Sequence, residues 1–338
     1  MFVSVLDLSP VPAGEPEAQA LRNTLDLARL SDNLGFHRYW LAEHHGGAMV
    51  ASSAPEVLIG HVAAATEGIR VGSGGMMLPN HAPLKVAEQF KVLAALHPGR
   101  IDLGIGRAPG TDQMTALALR RGRDALFADD LPDQLGELLA AAGSRPWPDG
   151  HPFRHVRAAP TEVPLPPIYL LGSSEYSAQV AAQNGFGFAF ATHIAPPLAV
   201  DVLRLYRERF RPSPEFAEPY AILAHAALIA DDDATARRLS APARVAFRRL
   251  RAGRPGPIPT LAEAIAEGGE PSPNGRGERV IVGSPETVRG RLDELAGASG
   301  ADELMVLTTT HGHPERRRSY ELLAEAYGLA PRGAAAAT

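Results

Sequence analysis

Short apolar runs and helical periodicities take turns along nearly the whole of this 338-residue chain, and that alternation limits the folds open to it more than any other feature. Strands are read at 2–6, 37–41, 69–73, 101–105, 168–171, 187–191, 221–229 and 303–307. Helical patterns lie among them at 18–34, 55–66, 84–96, 131–142, 176–184, 198–209, 234–251 and 286–296, the last opened by a serine cap and a first-turn proline in Ser284-Pro285-Glu286. Strands kept apart by helices predict a parallel sheet, and eight such units predict closure into a (β/α)8 TIM barrel. Barrels of this length commonly form one domain, so 1–330 is expected to be a single barrel and 331–338 a flexible tail. Three Pro- and Gly-rich stretches, 143–167, 195–220 and 253–277, exceed ordinary barrel connections and are expected to supply a lid and a substrate wall. The last, with Gly268-Gly269-Glu270-Pro271-Ser272-Pro273-Asn274-Gly275, reads nearly as well as a solvated insertion.

Composition excludes several classes of function. With no cysteine there are no disulfides, thiolate metal sites or cysteine nucleophile, which agrees with a reducing cytosol. Residues 1–7 carry no basic leader and no apolar run approaches a membrane span, so a soluble, cytoplasmic protein is expected. The net charge is −5, and arginines are interspersed with acids, as in Arg204-Leu205-Tyr206-Arg207-Glu208-Arg209. No basic face for nucleic acid emerges from that pattern.

In a parallel barrel the chemistry belongs at the C-terminal strand ends. Here those ends read Trp40-Leu41-Ala42-Glu43-His44-His45, Gly72-Ser73-Gly74-Gly75, Gly104-Ile105-Gly106-Arg107, Leu171-Gly172-Ser173-Ser174, Thr192-His193 and Thr308-Thr309-Thr310-His311-Gly312-His313. The run from Ile101 to Asp112 alternates as a strand, breaks into Gly104 and Gly106, and then presents Arg107. An arginine just past two glycines is placed to fork onto a phosphate beside bare backbone on which a flat ring can rest, which predicts a phosphorylated, planar cofactor. A dinucleotide fingerprint fails on spacing, because Pro109 stands where the third glycine belongs and Gly110 comes one residue late. Gly172-Ser173-Ser174-Glu175-Tyr176 is likewise no nucleophile elbow, since its last position is tyrosine.

Taken in order, Tyr39 to His45, Gly72-Ser73-Gly74-Gly75-Met76-Met77-Leu78-Pro79, Gly99 to Arg107 and Leu171 to Ala178 resemble the bacterial luciferase-like flavin monooxygenase family. The run after Arg107 and Thr192-His193-Ile194-Ala195-Pro196 are similar to its single-chain oxidoreductase branch. The resemblance implies reduced FMN as cosubstrate, with a deazaflavin coenzyme as the alternative, and oxidation of a small or medium organic substrate by molecular oxygen. It implies that Arg107, Ser174 and Ser177 hold the flavin phosphate, in the helix-opening turn that also contains Ser173 and Tyr176, where free amides favour an anion. It implies that the third strand bends beneath the isoalloxazine at Ser73, Gly74 and Gly75, with Gly106 alongside, and that His44, Glu43 and His193 are the catalytic group. His44 would handle protons at the reduced flavin, since imidazole titrates near neutrality. Neighbours on a strand end face opposite ways, so one of His44 and His45 is expected to pack as a satisfied histidine.

Light-emitting members carry a reactive cysteine where this chain has Gly106, which argues against light emission. The resemblance further implies a homodimer paired through the second and third helices. Because no nicotinamide site is evident, a separate NAD(P)H:flavin reductase is expected as partner. Two rival readings remain. A metal-dependent barrel hydrolase would use His311-x-His313 with His44, His193 and Glu43, although the first strand offers Leu6-Asp7-Leu8-Ser9 in place of a His-x-His pair. A non-catalytic flavin-binding subunit would have no reason to keep Glu43-His44, Arg107 and His193 together.

Overall fold

Alternating inward and outward side chains close eight strands on themselves. The computed structural model describes residues 1–120, 130–269 and 279–332. Its strands are β1 (Phe2–Asp7), β2 (Arg38–Leu41), β3 (Arg70–Ser73), β4 (Met76–Met77), β5 (Ile101–Gly106), β6 (Ile168–Gly172), β7 (Gly187–Ala191), β8 (Ala221–Ile229), β9 (Val280–Gly283) and β10 (Glu303–Leu307). They pair in parallel in the order β10-β1-β2-β3-β5-β6-β7-β8, and β8 returns to β10, which makes the closed barrel. β8 is long enough to serve two neighbours on one side: Ala221–Ala224 pair with β7 and Ala226–Ile229 with β9. β9 therefore continues the line of β7 above the barrel.

The helices are α1 (Glu17–Asn33), α2 (Pro55–Ala64), α3 (Pro83–Leu96), α4 (Gln113–Arg120), α5 (Leu131–Ala142), α6 (Glu175–Asn184), α7 (Ala199–Arg209), α8 (Asp233–Leu239), α9 (Ala241–Arg251), α10 (Leu261–Ala266), α11 (Pro285–Ser299) and α12 (His313–Tyr327). All eight expected strands are present within a residue or two of their read limits. β4, β9, α4, α10 and α12 were not expected, and the helix read at 234–251 is two, broken at Ser240 ahead of Pro242. The largest omission, α12, follows the last strand directly and buries Arg316, Ser319, Tyr320, Leu322 and Leu323 on one face. Its three successive arginines masked that periodicity.

Topology also relocates one of the long stretches, 143–167, and the end of a second, whose first residues, 195–198, follow β7 and stay at the C-terminal rim. Residues 143–167 join the end of α5 to the start of β6 and so lie at the N-terminal face, away from the strand ends where chemistry is expected. Residues 210–220 lie at the same face, where Phe216 packs edge-on to Tyr169 and the Tyr220 hydroxyl donates to Glu303 at 2.7 Å. Neither segment is a lid. In the third stretch, Ile258 lies beside the β1–α1 connection, with backbone bonds to Val11 and Ala13, so this part does sit at the rim. Residues 270–278 of that stretch lie outside the described residues. The expected tail is anchored at its start, where Arg332 pairs with Asp32 at 2.9 Å and donates to the Phe36 carbonyl; 333–338 lie outside the described residues.

The main apolar core fills the space between barrel and helices, while a second cluster of Leu6, Trp40, Ala42, Tyr169, Ala189, Ile222, Ala224, Ala226, Met305 and Leu307 fills the interior. Below that cluster the floor is charged: Arg38 pairs with Asp102 at 2.7 Å and Glu303 at 2.9 Å, and Trp40 donates its indole N–H to Asp102. Such a buried network is tolerated because its lone pairs are matched on every side. Toward the C-terminal rim the interior side chains shrink to Ala42, Ala191, Ala224 and Ala226. Leu8, Leu171 and Ala191 are only half-buried there, so among the described residues the mouth of the barrel is open.

Candidate functional site

Glycines let two strand ends come together under this mouth. A side chain at Gly104 would collide with the Ser73 carbonyl, and one at Gly106 would meet the Met77 sulfur at 2.5 Å. A side chain at Gly74 would lie 2.6 Å from Leu6. The Gly74–Gly75 peptide is cis, and the Ser73 hydroxyl donates to the Gly104 carbonyl at 2.7 Å. The glycines of the run from Ile101 to Asp112 thus first serve the chain's own bent third strand, which lies across the end of β5.

Glu43 is the hub of the rim. It has no exposed surface, and its Oε1 accepts from His45 Nε2 at 2.8 Å, His81 Nε2 at 2.9 Å and Asn80 Nδ2 at 3.1 Å, while Oε2 accepts from the Met77 N–H at 2.7 Å. Burial works to raise its carboxyl, but the hydrogen bonds from His81, His45 and Met77 outweigh it and hold the pKa below the ordinary value. His81 moves the opposite way: burial opposes its charge, yet the Glu43 carboxylate wins and raises its pKa. Asn80 also donates to the Pro109 carbonyl, and the His45 N–H to the Gly110 carbonyl, so one carboxylate ties together the loops after β2, β4 and β5. His81 and Asn80 were not singled out from sequence. They lie far along the chain from Glu43, and His81-Ala82-Pro83 read only as the approach to a helix.

The adjacent histidines separate by partner. His45 is satisfied by Glu43, whereas His44 keeps a buried Nδ1 with no hydrogen-bond partner among the described residues. Burial lowers the His44 pKa, with Glu43 opposing and His45 adding to the effect, so its imidazole is neutral at pH 7. His193 lies close enough to His44 that a charge on that ring would lower its own pKa. Its own pKa is lowered mainly by burial, and its Nδ1 faces the Ala224 carbonyl at 3.3 Å. A carbonyl accepts only, so Nδ1 carries the proton and Nε2 the lone pair.

The histidines offered for a metal do not converge. His311 Nε2 bonds the Ala13 carbonyl at 3.1 Å, while His313 Nε2 is 2.7 Å from Asp26 on α1. Among the described residues no group of three metal-ligating side chains forms.

Across the mouth, the end of β6 feeds α6 through Ser173 and Ser174. Gly172 permits that tight entry, since a side chain there would overlap Ser177. Ser174 occupies the cap position of α6 but its side chain makes no capping bond; its hydroxyl lies 3.5 Å from that of Ser177. Arg107 reaches over from β5 and places its guanidinium 4.8 Å from the centre of the Tyr176 ring. A cation, two hydroxyls and the opening turn of a ten-residue helix therefore meet at one edge of the open mouth. The arrangement suits a phosphate by charge and by donor count.

A family model described as luciferase-like monooxygenase matches residues 1–303. Over 324 residues the chain is 43% identical to a protein of Escherichia coli (strain K12) named luciferase-like monooxygenase, covering 94% of this chain and 95% of that one. The crystal structure of apo-MsnO8 matches with a TM-score of 0.89 at 41% identity, covering 98% of this chain and 99% of that one. The oxygenating constituent of 3,6-diketocamphane monooxygenase from the CAM plasmid of Pseudomonas putida, solved in complex with FMN, shares the fold at a TM-score of 0.71 and 20% identity, covering 98% and 99%. By sequence along most of its length, and by fold over nearly all of it, this chain belongs to the luciferase-like monooxygenase family.

Proposed function

We propose that the protein takes reduced FMN and molecular oxygen at the open mouth of the barrel and oxidises a small or medium organic substrate there. The observation that carries this reading is the meeting of Arg107, Tyr176, Ser174 and Ser177 at the uncapped start of α6, beside a mouth lined by alanines. Arg107, Ser174 and Ser177 would hold the phosphate, with Ser173 and Tyr176 completing that turn. The backbone of Ser73, Gly74, Gly75 and Gly106 would lie along the ring system. When bound, the reduced flavin supplies the electrons that activate oxygen. His44, neutral and with an unpartnered nitrogen, exchanges the proton, and His193 offers a second unprotonated nitrogen nearby. Glu43 holds the rim loops in place: its oxygens are occupied by donors, so we assign it to positioning and not to proton transfer.

The same reading makes residues 1–330 one barrel domain, active as a homodimer through α2 and α3, where Val57, Val92 and Leu96 stand exposed. It places the reduced flavin in the charge of a separate NAD(P)H:flavin reductase, in the cytoplasm. Among the described residues, no helix is long and apolar enough to cross a membrane. Titration of the purified protein with FMN, reduced FMN, riboflavin and the deazaflavin coenzyme, followed by absorbance and fluorescence, tests the assignment. Binding of reduced FMN well above riboflavin is expected; preference for the deazaflavin would move the chain to the other cofactor.

A further inference from the structure

Behind His193 the barrel wall holds two polar side chains that the chemistry above leaves unused. Ala191 and Ala224 are register partners, so the next residues on the two strand lines, Thr192 and His225, stand side by side. Ala189 and Ala224 pack inside the barrel while Phe190 and Leu223 pack outside it, so alternation turns Thr192 and His225 outward, under the helices. They are buried to 0% and 1% exposure, and among the described residues neither the Thr192 hydroxyl nor either ring nitrogen of His225 has a hydrogen-bond partner.

The charged and titratable groups that bear on His225 are His193 at the end of β7 and Arg291 on α11. Burial, with both of these adding, pushes its pKa down to about 3, so at neutral pH the ring is uncharged and presents one donor and one acceptor. Three buried polar atoms on neighbouring side chains call for a common partner, because leaving them unmatched costs more than a formed bond returns. The strands stand about 4.8 Å apart, which sets the two polar ends within reach of one bridging water.

The backbone next to this pair is the part that touches His193. The Ala224 carbonyl accepts from the Thr192 N–H at 2.9 Å and from His193 Nδ1 at 3.3 Å. Whatever anchors Thr192 and His225 therefore anchors the acceptor that selects the tautomer of His193.

We propose that Thr192 and His225 clasp one buried water behind the wall, and that this clasp, by fixing the Ala224 carbonyl, keeps His193 protonated on Nδ1 with Nε2 free as a base. Thr192 and His225 are then positioning residues, acting through His193 without touching substrate or flavin. The tautomer is independent of which cofactor binds; only its use in turnover rests on the proposed function.

Histidine ring ¹⁵N spectra of the full-length protein read the tautomer without flavin or substrate, and a high-resolution crystal structure reads the water. The wild type is expected to show one ordered water within hydrogen-bond distance of both side chains and a dominant Nδ1–H form of His193. Thr192→Val, which keeps the shape and removes the hydroxyl, should reduce the preference for that tautomer at least tenfold, and Thr192→Ser should restore it. His225→Gln should retain more of the preference than His225→Phe. A dry contact between Thr192 and His225 in the wild type, or an unchanged tautomer ratio in a folded Thr192→Val protein, overturns the proposal. Weak FMN binding by the wild type would instead count against the proposed function alone.

Discussion

His44 and His45, adjacent in sequence, have been given opposite employment: one imidazole is locked to Glu43, and the other keeps a nitrogen without a partner among the described residues. The prediction for His44→Ala follows from that freedom. Flavin affinity should stay nearly intact while the reaction of the reduced protein with oxygen loses rate or coupling to product, measured by stopped-flow mixing. General acid–base help of this kind is worth roughly 10²- to 10⁴-fold. Unchanged rate and coupling would leave His44 with a structural role. Arg107→Ala should act on binding in place of chemistry. Loss of a charge-assisted pair, about 1.5–3 kcal/mol, weakens FMN roughly ten- to hundredfold and leaves riboflavin alone. Equal loss for both ligands would remove Arg107 from the phosphate site. At this scale the sequence directs attention to two strand ends, and in the structure Arg107 of one stacks over Tyr176 of the other while the Ser174 and Ser177 hydroxyls lie 3.5 Å apart. It could not show that Ser174 leaves its own helix uncapped, since hydroxyl direction depends on backbone angles that Ser-Ser-Glu does not encode.

Among the elements, the eight barrel strands were readable because each alternates between two apolar surroundings over four or more residues. β4 was not: Met76–Met77 is too short to show a period, and it exists because the preceding glycines bend the chain back toward β5. The placement of 143–167 and 210–220 needed no side chain at all, only the rule that a helix-to-strand connection lies opposite the active face. Expecting a lid there followed composition where topology was decisive. The Glu43 hub joins three rim loops, so its loss should be felt as stability. Glu43→Gln leaves the donors of His45, His81 and Met77 ill-matched, and a cost of about 3 kcal/mol is expected at pH 6 in denaturant melts. The Glu43 pKa is lowered from 4.5, so its contribution is present above that value and fades as pH falls through the native pKa. The His81 pKa is raised from 6.5, so its contribution is complete below that value and fades as pH rises through the native pKa. The gap between wild type and variant should therefore be widest from about pH 4.5 to 6.5 and narrow on both sides. A gap independent of pH would mean that Glu43 acts by shape alone.

For the molecule as a whole, closure of the barrel leaves an open mouth among the described residues, and its parts are already committed. The glycines that a dinucleotide would need beside β5 are taken up by the bent third strand: Gly104 faces the Ser73 carbonyl and Gly106 faces Met77. The loop that follows is held to Glu43 through Asn80 and His45, with Gly110 at a positive φ of 65° against the Glu43 backbone. Nor does the first strand lead into a glycine-rich turn, since Leu8-Ser9-Pro10-Val11-Pro12 follows β1 and is bridged to Val50 and Ile258. Among the described residues, a nicotinamide dinucleotide thus finds neither a tight glycine turn nor a free helix start after β1 or β5. The protein on its own should fail to reduce FMN. Under anaerobic conditions, FMN mixed with the purified chain and excess NADH or NADPH should keep its oxidised absorption band, and bleaching should begin only when a flavin reductase is added. Rapid bleaching without reductase would show that the mouth accepts nicotinamide after all, and the separation of flavin reduction from oxygenation between two proteins would have to be abandoned.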